Sequence, residues 1–174
     1  MLRLASAAPL LRRAVPMMAS RGLSTLGYNN ASETTLENLA DQLDGLAERL
    51  PTMKQLDASR RAESLLDADY SSGVLTLDIK AAPFGGKSGT FVINKQPPNQ
   101  QIWLSSPLSG PRRYNLDTTR REWVPCPTTA EGVPPGENIE SLLSRELTDM
   151  LSIGPVPGTG RILIEPADLE DVDL

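Results

Sequence analysis

The chain has 174 residues, 39% of them hydrophobic, with 17 basic and 22 acidic side chains, a net charge of −5 and a single cysteine. That length suits one domain around one core; no apolar run reaches the ~20 residues of a membrane span, and Cys126 alone cannot make an internal disulfide. With no histidine anywhere, His-based triads, His metal ligands and the commonest general base are excluded.

The first 23 residues carry Arg3, Arg12, Arg13 and Arg21 among serines and alanines, and no acid precedes Glu33. A cationic, acid-free leader has the composition of a mitochondrial transit peptide; an N-terminal tail with no import role is the alternative. Arg21-Gly22-Leu23-Ser24 resembles a matrix-peptidase cleavage site and places the mature start near Ser24. Without the leader, 13 basic residues face 22 acidic ones, a net charge of −9. Such a balance repels nucleic acid and anionic lipid and attracts cations or basic proteins. Residues 24–31 read as a flexible linker.

The spacing predicts a first helix from Asn30 or Ser32, either of which can cap it; Asn30 with Glu33 fits the capping-box spacing loosely. Leu36, Leu39, Ala40, Leu43, Leu46, Ala47 and Leu50 form one stripe. Glu33, Glu37, Asp41, Asp44 and Glu48 fall within roughly 80° of one another beside its alanine edge. Glu33–Glu37, Glu37–Asp41 and Asp44–Glu48 are like-charge pairs at i, i+4, each destabilising by roughly a few tenths of a kcal/mol. A row of acids with no structural return points to binding of cations or of a basic partner; a merely acidic exposed face is the other reading. Carboxylates are hard oxygen donors that accept iron, manganese or calcium with little selection. A helix row lacking His and Cys cannot close a cage, so weak, exchangeable binding of several ions is expected.

Pro51 ends or kinks this helix. Residues 52–72 mix Asp57, Glu63, Asp67 and Asp69 with Lys54, Arg60 and Arg61, and 62–68 read as a short helical turn. Alternation then sets in over 74–79, with Leu75, Leu77 and Ile79 on one face and Val74, Thr76 and Asp78 on the other. The following loop holds Gly85-Gly86-Lys87-Ser88, which is not a phosphate loop: Ala81 stands where the earlier glycine is required, and a strand follows where a helix should. Residues 90–94 and 101–106 read as a hairpin around Lys95-Gln96-Pro97-Pro98-Asn99. Phe91, Ile93, Ile102 and Leu104 point to the core; Val92, Asn94, Gln101, Trp103 and Ser105 point the other way. An outward Trp103 beside Asn94, Gln101 and Arg113 has the make-up of a docking anchor; a Trp half covered by its cross-strand neighbours is the alternative. No acid occurs from Ile79 to Arg113, whereas Lys80, Lys87, Lys95, Arg112 and Arg113 do. An acidic helix edge and a neutral-to-basic sheet face are therefore expected.

Residues 122–124, with Trp123, read as a further strand, and 125–138, rich in Pro, Gly and Thr, as a surface loop holding Cys126 between two prolines. Asn138 caps a second helix carrying Ile139, Leu142, Leu143, Leu147, Met150 and Leu151 at helical spacing, stopped by Gly154-Pro155. Residues 161–164 are apolar enough to pack back on a domain spanning 32–164, and the acidic tail 165–174 is expected to be mobile. Helix, meandering strands, helix: the pattern predicts an α+β two-layer sandwich with both helices on one face of an antiparallel sheet and the other face open.

The run NKQPPNQQIWLSSPLSGPRRY, Asn94 to Tyr114, resembles the signature of the frataxin family, as does SGVLTLDI, Ser72 to Ile79. The resemblance implies the same two-layer fold, with a C-terminal segment in the groove between the helices. It implies weak binding of iron (Fe2+/Fe3+) at Glu33, Glu37, Asp41, Asp44 and Glu48, and less directly at Asp67 and Asp69, because Lys54, Arg60 and Arg61 interrupt a stretch that is more acidic in frataxins. It also implies binding of the cysteine desulfurase–scaffold complex in the mitochondrial matrix, and faster sulfur transfer in iron–sulfur cluster assembly. The residues carried over for that role are Asn94, Lys95, Gln96, Gln101, Trp103 and Arg113. The alternative is a ferroxidase and iron-storage enzyme oxidising Fe(II) to Fe(III) along the acidic row.

Overall fold

Alternation and helical stripes resolve into two layers. The computed structural model describes residues 23–126, 137–152 and 161–174. Its elements are α1 (Thr25–Arg49), α2 (Met53–Leu56), β1 (Leu66–Ser71), β2 (Val74–Lys80), β3 (Ser88–Gln96), β4 (Gln101–Ser106), β5 (Gly110–Asp117), β6 (Glu122–Pro125) and α3 (Ile139–Met150). Residues 1–22, most of the loop expected over 125–138, and the Gly154-Pro155 stop lie outside the described residues. The six strands form one sheet in the order β1 to β6, each antiparallel to the next. Leu75, Leu77, Ile79, Phe91, Ile93, Ile102, Leu104, Tyr114 and Trp123 point into the core, where they meet Leu36, Leu39, Leu43 and Leu46 of α1 and Leu142, Leu143, Leu147 and Met150 of α3. The expected sandwich, with one sheet face left open, is the fold.

Three local expectations are corrected. The first helix starts at Thr25, not at Asn30 or Ser32: Ser24 Oγ accepts from the Gly27 amide at 2.8 Å and caps it. Residues 25–31, read as linker, are its opening turns, because Tyr28 has a core site of its own. Its ring meets Trp123 edge-on at 6.2 Å, and its hydroxyl donates to the Gln101 carbonyl at 2.9 Å. Trp123 in turn donates from Nε1 to Thr35 Oγ1 at 2.9 Å, fixing α1 against β6.

The second correction concerns residues 62–68, which are not a helical turn; from Leu66 they are strand. Leu66, Ala68 and Tyr70 lean to the helix layer and Asp67 and Asp69 to the open face. Pairing with β2 is closed by the two-residue turn Ser72-Gly73, with φ of 53° and 79°, the left-handed pair a twisted hairpin requires. Gly73 is needed for space as well, since a Cβ there would lie 2.5 Å from the Lys95 side chain.

The third concerns the acidic tail, which is a strap rather than a mobile end. Ahead of it, residues 161–164 pack back as expected: the Ile162 and Ile164 amides donate to Thr148 Oγ1 (2.9 Å) and Ser144 Oγ (2.8 Å) on α3, and both isoleucines are buried. The Glu165 amide donates to Gln42 Oε1 and its carbonyl accepts from Gln42 Nε2, both at 2.8 Å. Beyond it, the Arg121 guanidinium donates to the carbonyls of Leu169 and Val172. Leu169 is buried, a contribution of about 1.5–3 kcal/mol. Leu174 closes so tightly on α1 that a Cβ at Gly27 would come within 2.6 Å of its backbone.

Asn138 caps α3 as expected, accepting from the Ser141 amide at 2.9 Å. The helix also buries two acids, Glu140 and Glu146. Burial, reinforced by the nearby charge of Glu122, pushes the Glu140 carboxyl up to about 7. Between its ordinary value of 4.5 and about 7, the native protein keeps a proton that the unfolded chain has released. The stability this confers is complete at low pH and is lost as pH rises through about 7. Glu140→Gln, neutral throughout, is expected to exceed the parent in stability at pH 8 by on the order of 2–3 kcal/mol. Urea unfolding of both proteins at pH 5 and pH 8 checks this; a difference that does not grow with pH contradicts it.

Candidate functional site

The open face of the sheet is built by cross-strand rows. Val74, Asn94, Trp103 and Arg113 stand opposite one another on β2, β3, β4 and β5, and the next row places Gln96, Gln101 and Asn115 side by side. Every residue in these two rows has the parity opposite to the core positions, so the outward placement of Trp103 follows directly from pairing. Trp103 is half-buried rather than loose. Its Nε1 donates to Gln101 Oε1 at 2.9 Å, Gln101 Nε2 donates to Asn115 Oδ1 at 2.9 Å, and the Arg113 guanidinium lies 4.4 Å from the indole ring centre. A cation over an indole face is worth roughly 0.5–1 kcal/mol where exposed. Beside this pair is a shallow depression of about 250 Å³, walled by Val92, Asn94, Trp103 and Pro111 to Arg113. Its lining sets the apolar Val92 and Pro111 beside the polar Asn94 and Arg113, a mixture suited to receiving a side chain.

The acids divide differently from the expectation. Glu37, Asp41, Asp44 and Glu48 are exposed along α1 and take part in no ion pair among the described residues. Asp67 and Asp69 do not prolong this row. They project from β1 on the opposite, open side of the sheet, where Asp67 faces Asp78 across the ladder. Among the described residues no three Asp, Glu, Cys or His side chains converge as a metal-holding group. The α1 carboxylates therefore offer single, spaced oxygen donors to solvent.

The Frataxin-like domain family model matches residues 21–153. This chain is a member of the frataxin family. It is 40% identical over 134 residues to the mitochondrial frataxin of Caenorhabditis elegans, covering 77% of this chain and 82% of that one. It is 42% identical over 97 residues to the mitochondrial frataxin homolog of Saccharomyces cerevisiae, covering 56% of this chain but only 45% of the yeast protein. A solved yeast frataxin, 34% identical, aligns over 85% of this chain and 96% of its own with a TM-score of 0.50. A trimeric yeast frataxin complexed with ferrous iron aligns over 67% of this chain and 80% of its own, with 37% identity and a TM-score of 0.45.

In this chain, two residues expected in separate sites are partners. The family resemblance puts Lys95 with the sheet residues and Glu33 with the acidic row. Lys95 shares the parity of Phe91 and Ile93, so it leaves β3 on the helix side, and its ammonium pairs with Glu33. The Tyr70 hydroxyl donates to the other Glu33 oxygen. Hydrogen bonds from Lys95 and Tyr70 hold the Glu33 carboxyl below its usual range, while burial beside Glu33 and Glu37 raises the Tyr70 phenol. Glu33 is thus a clasp joining α1 to β1 and β3, and Lys95 is removed from the open face. Cys126 follows β6; its amide donates to the Arg113 carbonyl at 2.7 Å and its Sγ lies 4.0 Å from Gln101 Nε2.

Since the folded Glu33 carboxyl ionises more readily than the unfolded one, its contribution is present above pH 4.5 and lost as pH falls through the lowered folded value. Glu33→Gln is expected to cost roughly 0.5–1 kcal/mol at pH 7, the pair being part-exposed, and to converge with the parent in acid. Equal unfolding midpoints for the two proteins at pH 7 would contradict the clasp.

Proposed function

We propose that this protein binds the mitochondrial cysteine desulfurase–scaffold complex through the open sheet face and accelerates sulfur transfer in iron–sulfur cluster assembly in the matrix. The observation that carries this reading is the Asn94–Trp103–Arg113 row, braced by Gln101, on a sheet face that no described element covers. The names of the relatives give the mitochondrion as the compartment, in keeping with the arginine-rich leader. The open face offers what an interface centre needs: a held aromatic, a guanidinium over it and a depression beside the pair. No chemistry on a small substrate is required of these side chains; they act by holding the partner in its productive arrangement. Asn94, Gln96, Gln101, Trp103 and Arg113 form the contact set, without Lys95.

Iron enters as cargo along α1. Glu37, Asp41, Asp44 and Glu48 supply hard oxygen donors in a row, which suits loose, exchangeable ions and a basic protein surface alike. Their exposure is also the one observation favouring the second reading, oxidation and storage of iron on this row.

Trp103→Ala is expected to weaken binding by about 2 kcal/mol or more, roughly 30-fold. It should thereby abolish stimulation of sulfide production by a desulfurase–scaffold mixture while circular dichroism and the unfolding midpoint hold. Undiminished stimulation would remove the sheet from the reading. Replacing Asp41 and Asp44 together by Asn should lower ferrous-ion uptake in a calorimetric titration and leave that stimulation largely intact; equal uptake by both forms would take iron off α1.

A further inference from the structure

Behind the open face, α3 holds the turn that aligns it. Ser106, the last residue of β4, is buried, and its hydroxyl donates to the Glu146 carboxylate on α3. Glu146 is wholly buried, an unusual site for a charge, and its other oxygen lies 3.5 Å from Arg145 Nη2. Arg145 Nε in turn donates to Glu137 at 2.9 Å. Because its proton is committed to Glu146, Ser106 Oγ presents its lone pairs to the chain ahead. It accepts from the amides of Leu108 and Ser109, both at 3.0 Å. These bonds shape the turn from β4 into β5, which closes on the pair Ser106–Gly110, with Gly110 at φ 76°.

The same hairpin carries Trp103 opposite Arg113, and Pro111 to Arg113 wall the depression beside them. A change in the turn therefore reaches the open face through the register of three residue pairs. A buried carboxylate is costly unless its hydrogen bonds are made. A plain apolar contact between α3 and the turn would hold the layers together without it, but would leave Ser106 free to turn its hydroxyl elsewhere.

We propose that Glu146 is a positioning residue for the Trp103–Arg113 patch: from the helix layer it orients Ser106, which sets the β4–β5 turn and so the alignment of the two side chains on the opposite face. The inference rests on the partner-binding reading of that face, and the experiment separates the two. In the full chain, Ser106→Ala, Glu146→Leu, the double variant and Glu146→Gln are compared with the parent. Nitrogen-edited NMR follows the Leu108 and Ser109 amides and the Trp103 indole N–H, and titration with the desulfurase–scaffold complex follows affinity.

Ser106→Ala and Glu146→Leu are expected to raise exchange at the two amides roughly tenfold, the loss of about one hydrogen bond's worth of protection. They should also shift the Trp103 indole resonance and weaken binding by a similar factor. The double variant should be no worse than the single ones, since the residues act in one chain of bonds. Glu146→Gln keeps an oxygen acceptor for Ser106 and should restore the indole resonance even where the unfolding midpoint falls. If Ser106→Ala, folded, leaves the indole resonance and the two amides as in the parent, the proposal is overturned, whatever Glu146→Leu does to stability. If the parent itself does not bind the complex, the partner reading fails while the NMR comparison still decides the positioning.

Discussion

The register between β3, β4 and β5 is the constraint on which both layers depend. Because side chains alternate strictly along a strand, the pairing that sends Phe91, Ile93, Ile102 and Leu104 into the core also lines up Asn94, Trp103 and Arg113 outside it. A slip of one residue would exchange the two sets, exposing the core residues and burying Arg113. Hydrophobic burial therefore fixes the outward row indirectly. The features that pin the register do more than close loops: the left-handed Gln100 at the end of the β3–β4 connection and the Ser106–Gly110 closure both set how the outer row lies. The stable core and the outward row therefore rest on the same hydrogen-bond ladder.

What could be read in advance follows from how local each signal is. The strands over 74–79 and 101–106 declare themselves within a few residues, because Leu75, Leu77, Ile79 and Ile102, Leu104 repeat at period two against polar neighbours. The opening turns of α1 carry no such stripe. Thr25 to Ala31 is helical because Tyr28 finds Trp123 and the Gln101 carbonyl, partners far along the chain. The tail is misleading for a related reason. Its acids suggest solvent, but it is secured through its backbone, by Asn38, Gln42 and Arg121, and hardly by its own charged side chains. Residues 66–70 set Asp67 and Asp69 among Leu66, Ala68 and Tyr70, a run too short and too weakly apolar to fix its period, and pairing with β2 decides for strand.

At the site, the parity of Trp103 was legible and that of Lys95 was not. Reading Lys95 as part of the turn hid the fact that β3 runs on to Gln96. Once the strand is extended, Lys95 must fall on the helix side, and the nearest carboxylate there is Glu33. The acidic row consequently begins at Glu37, and the acids of β1 belong to the other face. The expected neutral-to-basic sheet face holds only at its centre: Asp67, Asp69 and Asp78 stand on the same open face over β1 and β2, while β3 to β5 present a guanidinium beside an indole. The α1 row and the Trp103–Arg113 patch share no side chain, so the proposed cargo ions and the proposed partner need not compete for the same groups.

In the proposed function the assembly complex docks on the sheet and not on the acidic helix. This is tested most directly by mapping amide signals of the labelled protein as the desulfurase–scaffold complex is added without iron. Shifts and broadening confined to Asn94, Gln101, Trp103, Arg113 and their immediate neighbours are predicted, with Glu37 to Glu48 unmoved. Perturbation concentrated along α1, with the β3–β5 signals unchanged, would contradict it.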